Sequence, residues 1–218
     1  MKIDPLAELI LSELARRPGG GQVVLGGYFA LQRYIDYRTT HDIDAWWKSR
    51  ADPLAEAEIR AAMQKVAADQ GLSLNERRFG ETISFELSRG SSKVFSFQIA
   101  IRSVELEPPQ ASDWPPILIE TLNDTVASKM NALVNRGSPR DYTDIYQIVR
   151  SGHMKIDQCW SLWKRKNHDG SLESAKQKVL LHLAGLEQRR PLARITDENE
   201  RQKAATIRGW FHDEFCRP

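Results

Sequence analysis

Apolar residues recur with two different periods along the first half of the chain. After Asp4-Pro5, a cap followed by the proline that suits a first helical turn, they follow helical spacing at Leu6, Leu9, Ile10 and Leu14. The short run Val23-Val24-Leu25 lies between glycines, which is typical of a buried strand. Such patterns predict helices at residues 5–17, 28–35 and 53–70, and strands at 23–25, 42–47, 82–87 and 94–101.

Beyond residue 107 the pattern becomes helical. The proline-rich stretch 107–116 is the best candidate for a linker. Helices are predicted at 123–136, 156–165, 172–186 and 198–215, and another begins at Ser138-Pro139 with an acid three residues after the serine. The chain is therefore predicted to be α+β, with a small mixed sheet and flanking helices over residues 1–107 and a helical bundle over 117–218.

Two acids one residue apart, Asp42 and Asp44, lie on the predicted strand 42–47. Strand side chains alternate between faces, so both carboxylates point to the same side. Such oxygen donors suit Mg²⁺, and the upstream pair Gly26-Gly27 can let the backbone approach a phosphate. The alternative is an exposed acidic strand edge that follows an ordinary glycine turn.

The helical half adds cations and acids at helical intervals. Lys129 and Arg136 can share one face and bind phosphate, or they can be solvent-facing cations on a surface helix. Asp141 stands where an acid caps its own helix, and Asp144 can form a salt bridge with Arg140. Each residue taken alone therefore has a structural explanation.

Composition and charge exclude several classes of protein. The chain has 218 residues, of which 41% are hydrophobic and 28% charged, as is typical of a folded globular protein. No apolar run approaches the roughly 18 residues of a membrane span, the start does not resemble a signal peptide, and a net charge of +2 is not that of a polybasic nucleic-acid binder. Cys159 and Cys216 are far apart, which favours free thiols in a reducing cytoplasm.

The candidate residues also occur in a recognisable order. Gly26-Gly27 is followed by Arg38-x-Thr40-x-Asp42-Ile43-Asp44, then by Lys129-x-x-Ala132-Leu133-x-x-Arg136, and then by Arg140-Asp141-x-x-Asp144-Ile145-Tyr146. As a set these motifs resemble the AbiEii nucleotidyltransferase toxin family, part of the DNA polymerase beta-like nucleotidyltransferase superfamily. The resemblance spans residues 23–149, and no motif extends it into the C-terminal helices.

The resemblance implies a nucleotidyltransferase-like fold whose helical part completes the cleft. Gly26 and Gly27 would cradle the nucleotide phosphates, and Asp42 and Asp44 would hold Mg²⁺. Lys129 would contact the phosphates. Residues 140–144 would close the site, with Asp141 or Asp144 in the catalytic set. Further candidates for nucleotide binding are Thr40, Arg136 and Arg140.

One position departs from the plan of that superfamily. A third acid often lies on a later strand, and the matching polar residue here is Gln98. Glutamine is neutral, so it is a poorer metal ligand and a weaker proton acceptor than a carboxylate. Either two acids suffice, or catalysis is impaired.

The sequence thus predicts a Mg²⁺-dependent nucleotidyltransferase of the toxin type. It would transfer a nucleotide from a nucleoside triphosphate to an acceptor that is tRNA, another RNA or a protein, and an antitoxin would be its partner. Two alternatives remain open. One is a protein of the same fold that binds a nucleotide or a partner without turnover, and the other is kinase-like transfer of a γ-phosphoryl group.

Overall fold

The computed structural model describes residues 3–102 and 104–217. Its helices are α1 (Pro5–Ala15), α2 (Gly27–Leu31), α3 (Pro53–Asp69), α4 (Leu122–Asn135), α5 (Pro139–Arg150), α6 (Ile156–Lys166), α7 (Leu172–Arg189) and α8 (Glu198–Trp210). Its strands are β1 (Val23–Leu25), β2 (Asp42–Trp47), β3 (Ser73–Phe79), β4 (Thr82–Arg89), β5 (Ser92–Ala100), β6 (Gln110–Ala111) and β7 (Leu118–Ile119). Short turns of 3₁₀ or π type lie at Pro18–Gln22, Leu192–Arg194 and Phe211–Phe215. The predicted α+β class is confirmed.

The strands form one mixed sheet with the order β3-β4-β5-β2-β1-β7-β6. β2 pairs with β1 in the antiparallel direction and with β5 in the parallel direction. β7 runs parallel to β1 on the other side of that strand. β2 is therefore held by hydrogen-bonded neighbours on both edges, which makes it a rigid support for the side chains that it carries.

One face of β2 belongs to the hydrophobic core and the other does not. The side chains of the first face expose at most 2% of their surface: Ile43, Ala45 and Trp47. Those of the second face are partly exposed: Asp42, Asp44 and Trp46. The buried face shares its core with apolar residues of α1 and α3. A register slip of one residue would drive two carboxylates into that core, so the alternation fixes the pairing of β2.

Three strands were not predicted from the sequence. β3 reads Ser-Leu-Asn-Glu-Arg-Arg-Phe, is mostly exposed and forms one edge of the sheet beside β4. An edge strand with little buried surface lacks the alternation that indicates a strand. β6 and β7 have two residues each, and they lie within or just after the proline-rich stretch that was predicted to be a linker. Their pairing depends on β1, not on their own composition.

The chain divides into two compact units, Met1–Thr125 and Val126–Pro218, and the division falls within α4. β6 and β7 belong to the sheet of the first unit although they lie beyond residue 107. The predicted domains, residues 1–107 and 117–218, stay a prediction.

Aromatic side chains fill the interior of the second unit. Tyr142 meets Phe211 edge to face with ring centroids 4.8 Å apart, and its hydroxyl donates to the Val179 carbonyl at 2.7 Å. Tyr146 meets Trp210 in the same way at 5.2 Å. Such aromatic pairs stabilise a helical core beyond the apolar area that they bury. Packing between helices therefore accounts for Tyr142.

Both cysteines of the second unit are free thiols in buried positions. Burial raises the pKa of Cys159 to about 12, and it raises the pKa of Cys216 to about 12 as well. Both side chains therefore act as small apolar residues of the core at neutral pH. None of the helices in the described parts of the chain combines the length and apolar character needed to cross a bilayer.

A capping box begins α5, as the sequence predicts. The Asp141 carboxylate accepts the Ser138 N–H at 2.9 Å and the Ser138 hydroxyl at 2.7 Å. It also accepts two hydrogen bonds from the Arg136 guanidinium, both 2.9 Å long. Burial acts to raise the pKa of Asp141, but the bonds from Arg136 and Ser138 outweigh it, so the pKa lies below the ordinary 3.8. The charged form is the one that stabilises α5.

We expect Asp141→Asn to reduce the free energy of unfolding at pH 7 by about 2 kcal/mol, because it removes a cap and the charge opposite Arg136. A lowered pKa stabilises the fold above the pKa of the unfolded state. The difference between wild type and variant should thus shrink as the pH falls below about 4. Urea unfolding at several pH values measures both effects.

The matched control is Asp157→Asn, which changes an exposed acid in the first turn of α6. It should change stability by less than about 0.5 kcal/mol at either pH. Equal losses in both variants would contradict the role given to the cap of α5.

Candidate functional site

The site in the first unit is built on the partly exposed face of β2. Asp42 and Asp44 lie on that face, opposite Ser96 and Gln98 of the parallel strand β5. Side chains that are directly opposite on neighbouring strands share a face, so the two acids stand beside a hydroxyl and an amide. The predicted common orientation of the two carboxylates is confirmed by the register of β2.

A short loop before β2 orients the first acid. The Thr40 hydroxyl donates to Oδ1 of Asp42, and Thr40 is buried. A carboxylate that accepts a bond from a fixed hydroxyl has less rotational freedom, so less order is lost when it binds a ligand. The structure thus places Thr40 next to Asp42, whereas its predicted contact with a nucleotide stays a prediction.

Tyr28 also holds the loop before β2 in place. This residue was not among those predicted from the sequence. Its hydroxyl accepts the Arg38 N–H at 3.0 Å and the Tyr37 N–H at 3.2 Å. The Arg38 guanidinium lies over the Tyr28 ring, 3.6 Å from the centroid. Burial raises the pKa of Tyr28, so its hydroxyl stays protonated. No pattern in the sequence indicates this link, because the partners are backbone groups ten residues away.

The glycine pair lies directly against the second acid. Gly27 has a φ of +62°, and a Cβ built on it would lie 2.8 Å from Cβ of Asp44 and closer still to its Oδ2. The Gly26 N–H donates to the Asp44 carbonyl at 2.8 Å. Any side chain at Gly27 would therefore collide with the carboxylate and would also strain the backbone. The structure brings Gly26, Gly27 and Asp44 together, as the sequence predicts.

α2 begins at this turn, but it has only five residues. As at the start of any helix, its first N–H groups have no acceptor within the helix. The dipole of so short a helix is small, so any attraction for anions depends on the local N–H groups of the turn.

Gln98 is exposed beside Asp44, and its Nε2 lies 3.5 Å from the Ser84 hydroxyl. The amide oxygen can be an uncharged ligand, so the position keeps one of the properties of an acid and loses the charge. Across the described residues, no group of three or more His, Cys, Asp or Glu side chains is placed to hold a metal. On this face, the carboxylates of Asp42 and Asp44 have the neutral side chains of Ser96 and Gln98 beside them.

Glu120 was not among the predicted site residues, yet it is next to the glycine turn. It directly follows β7, and its N–H donates to the Leu25 carbonyl at 2.9 Å. Oε2 of Glu120 would lie 3.0 Å from a Cβ built on Gly26. The side chain is fully buried and forms an ion pair with Arg102 at 2.6 Å. A missed strand explains the omission, because only the pairing of β7 with β1 brings this acid to Gly26.

The remaining predicted residues lie in the second unit, where they form two ion pairs. Nζ of Lys129 lies 2.7 Å from Oδ2 of Asp144, and the two side chains expose 12% and 1% of their surface. Arg136 binds Asp141 at the start of α5. The predicted Arg140 is exposed. Lys129 and Arg136 therefore contact different acids, and each pair links α4 or its end to α5.

These ion pairs differ in what they can offer a ligand. Breaking the pair between Lys129 and Asp144 would leave a buried charge without compensation, so the pair holds both side chains in place. The Arg136 side chain is two-thirds exposed, but its guanidinium donates two hydrogen bonds to Asp141. These bonds give Arg136 a structural role at the start of α5. The catalytic or nucleotide-binding roles of Lys129, Arg136, Arg140, Asp141 and Asp144 stay predictions.

Comparisons with known proteins agree with the fold. A search of curated proteins finds no match to this chain. Among solved structures, the chain is similar to a candidate nucleotidyltransferase from H. pylori, with 16% sequence identity and a TM-score of 0.51. The match covers 96% of this chain and 93% of the other. At this identity, the similarity shows a shared nucleotidyltransferase-like fold and nothing about substrates.

The family comparison is more specific. Residues 9–208 match the model of the family described as nucleotidyl transferase AbiEii toxin of type IV toxin–antitoxin systems. This range includes every predicted site residue of both units and most of the C-terminal helices, which lacked a recognisable motif. The chain belongs to the AbiEii family of nucleotidyltransferase toxins.

Proposed function

We propose that the protein is a Mg²⁺-dependent nucleotidyltransferase that moves a nucleotide from a nucleoside triphosphate to a hydroxyl of an RNA or protein acceptor. One observation carries the proposal. The Asp42–Asp44 pair projects from the partly exposed face of β2, directly beside a glycine turn that admits no side chain. Cation ligands and a backbone that can approach phosphate are thus adjacent, as transfer from a triphosphate requires.

Asp42 and Asp44 would hold the magnesium. Both are carboxylates, which are preferred ligands of this hard cation, and they are on one face of a rigid strand. When bound, Mg²⁺ would neutralise charge on the triphosphate. Thr40 would keep the Asp42 carboxylate in a single orientation through its hydroxyl. The Gly26–Gly27 turn would offer N–H groups to phosphate oxygens.

Lys129 would be a cation for the triphosphate, with Arg136 or Arg140 in support. Asp144 would orient Lys129 through their 2.7 Å contact. Asp141 fits this function less well, because Arg136 and Ser138 already occupy its carboxylate. We therefore assign Asp144, and not Asp141, to the functional set.

A second candidate function is nucleotide binding without turnover. Gln98 favours it, because an exposed amide stands beside Asp44 where the superfamily plan often has a third acid. An amide cannot accept the proton of an attacking hydroxyl as a carboxylate does. The label experiment below separates the two functions.

Membership of a type IV toxin–antitoxin family implies an antitoxin partner. tRNA or another RNA is a proposed acceptor. Trp160 and Trp163 are both buried, and Trp160 donates to the Phe215 carbonyl at 3.0 Å, so neither ring is available to stack on a base.

We expect Asp42→Asn and Asp44→Asn each to reduce nucleotide transfer by at least about 100-fold, because each removes a charged metal ligand. Transfer is measured with α-labelled nucleoside triphosphates, Mg²⁺ and total tRNA or the protein itself as acceptor. Titration of Mn²⁺, followed by electron paramagnetic resonance, should show weaker binding in both variants. Asp69→Asn, an exposed acid in an ion pair with Lys65, is the matched control and should change neither result.

The labels decide between the functions. Transfer of α-label supports nucleotidyl transfer, transfer of γ-label to protein supports kinase-like chemistry, and binding without transfer supports the second candidate. Full activity of both aspartate variants would exclude the assigned site.

We expect Gly27→Ala to abolish most nucleotide binding, because its Cβ would displace the Asp44 carboxylate. Gly80→Ala is a matched control, since Gly80 has a φ of +58° with nothing within 4 Å of the added Cβ. Both variants should lose about 1–2 kcal/mol of stability from the strained φ. Affinity for Mn²⁺ and nucleotide should fall in the Gly27 variant alone, as calorimetry can measure. Equal affinities in the two variants would show that the close contact with Asp44 has no role.

For Lys129 we expect Lys129→Met to impair both stability and transfer, because it leaves Asp144 buried and uncompensated. The double variant Lys129→Met/Asp144→Leu should recover most of the stability but not the transfer. Lys65→Met, which breaks an exposed ion pair, is the control and should affect neither. Transfer that recovers along with stability would limit Lys129 to a structural role.

A further inference from the structure

Glu120 and Asp44 lie on opposite sides of the glycine turn. The Glu120 N–H bonds to the Leu25 carbonyl at 2.9 Å, and the Gly26 N–H bonds to the Asp44 carbonyl at 2.8 Å. These contacts continue the pairing of β7, β1 and β2 as far as the turn. Gly26 thus lies between two strands that each present an acid.

Two side chains enclose Gly26. A Cβ built on it would lie 2.5 Å from Nε1 of Trp46 and 3.0 Å from Oε2 of Glu120. The Trp46 indole N–H is buried, and no described residue accepts a hydrogen bond from it. Trp46 and Glu120 therefore form a wall beside Gly26, and Asp44, which is on the same face of β2 as Trp46, contacts the neighbouring Gly27.

Arg102 forms an ion pair with Glu120, the acid of this wall. Its guanidinium lies 2.6 Å from Glu120 and 2.5 Å from Asp124, and its side chain exposes only 8% of its surface. Nε and Nη1 are buried and donate no hydrogen bond to any residue in the described ranges, although Nη1 lies 3.6 Å from Glu105. A buried guanidinium with unused donors packs less favourably than an apolar side chain. Packing alone thus does not explain why this position holds an arginine.

The charge of Glu120 matters because of where it lies. A carboxylate in contact with a turn that binds phosphate would repel the phosphate, and the repulsion is strong where water is excluded. Glu120 is fully buried and belongs to no group of three possible metal ligands among the residues described. Its closeness to Gly26 therefore favours a cation that offsets its charge, and the cation in contact with it is Arg102.

We propose that Arg102 is a positioning residue, which offsets the charge of Glu120 and holds it against Gly26 so that the turn keeps its shape and can accept a triphosphate. This inference rests on the proposed function. Its direct consequence is that nucleotide affinity depends on the charge balance between Arg102 and Glu120, and not on the presence of arginine itself.

The experiment compares Arg102→Met, Glu120→Gln and the double variant with the wild type. Binding of ATP, GTP, CTP and UTP is measured separately by calorimetry with Mg²⁺, and thermal melting is recorded for each protein. Arg102→Met should weaken binding of the preferred nucleotide by at least about tenfold, because it leaves Glu120 uncompensated. Glu120→Gln should change affinity by less than about threefold, since the shape of the wall is kept. The double variant should recover affinity to within about threefold of wild type, because Asp124, the other acid beside Arg102, keeps the hydrogen bonds from the Leu106 and Glu107 N–H groups.

Arg208→Met is the matched control. Arg208 also exposes 8% of its surface and has a buried Nη1 that donates to none of the residues described, but it lies in the second unit and donates to the Arg190 carbonyl. This variant should lower the melting temperature without changing nucleotide affinity more than twofold. Such a result separates a loss of stability from a loss of charge balance.

Two results overturn the inference while leaving the proposed function intact. One is wild-type affinity in Arg102→Met, and the other is a double variant that binds as weakly as Arg102→Met. If Arg102→Met does not fold, the folded double variant still decides, because the inference requires it to bind nucleotide. If the wild type binds neither Mn²⁺ nor any of the four nucleotides, the proposed function itself is wrong, and the inference is lost with it.

Discussion

The hydrogen bond from the Gly26 N–H to the Asp44 carbonyl is the contact on which the candidate site depends. It continues the backbone hydrogen bonding of the antiparallel pair β1 and β2 by one residue beyond Leu25 and Ala45. It places the glycine turn directly beside the second acid. The positive φ of Gly27 then turns the chain into α2 so close to the carboxylate that no side chain fits at Gly27. Because a strand pairing specifies this contact, the geometry of the site is a property of the sheet and not of a flexible loop.

The sequence predicted those parts of the fold that have strong local signals. Asp4 caps α1, β2 occupies its predicted residues, and the capping box begins α5 as expected. Each of these features depends on side chains that act on their own backbone or on simple alternation. The family resemblance, quoted from motifs between residues 23 and 149, was also correct and extends further in both directions.

The sequence could not predict contacts that arise from tertiary pairing. β7 has two residues in a proline-rich region, and nothing in its composition brings Glu120 to Gly26. The link between Arg102 and Glu120 likewise joins positions eighteen residues apart. Tyr28 likewise orients the loop before β2 through backbone groups. Such networks have no periodicity, so pattern reasoning does not detect them.

The question of a third acid changes once the sheet is known. Gln98 on β5 suggested a missing charge, whereas Glu120 beyond β7 supplies a carboxylate on the other side of Asp44. That carboxylate is buried and bound to Arg102, which reduces its capacity to hold a cation. The partly exposed acids on this face of the sheet include Asp42 and Asp44 on β2 and Glu86 on β4, with the Gln98 amide beside Asp44. A site of this kind can hold a metal with a triphosphate bound to it, but deprotonation of the acceptor hydroxyl must then depend on a group other than the residue at position 98.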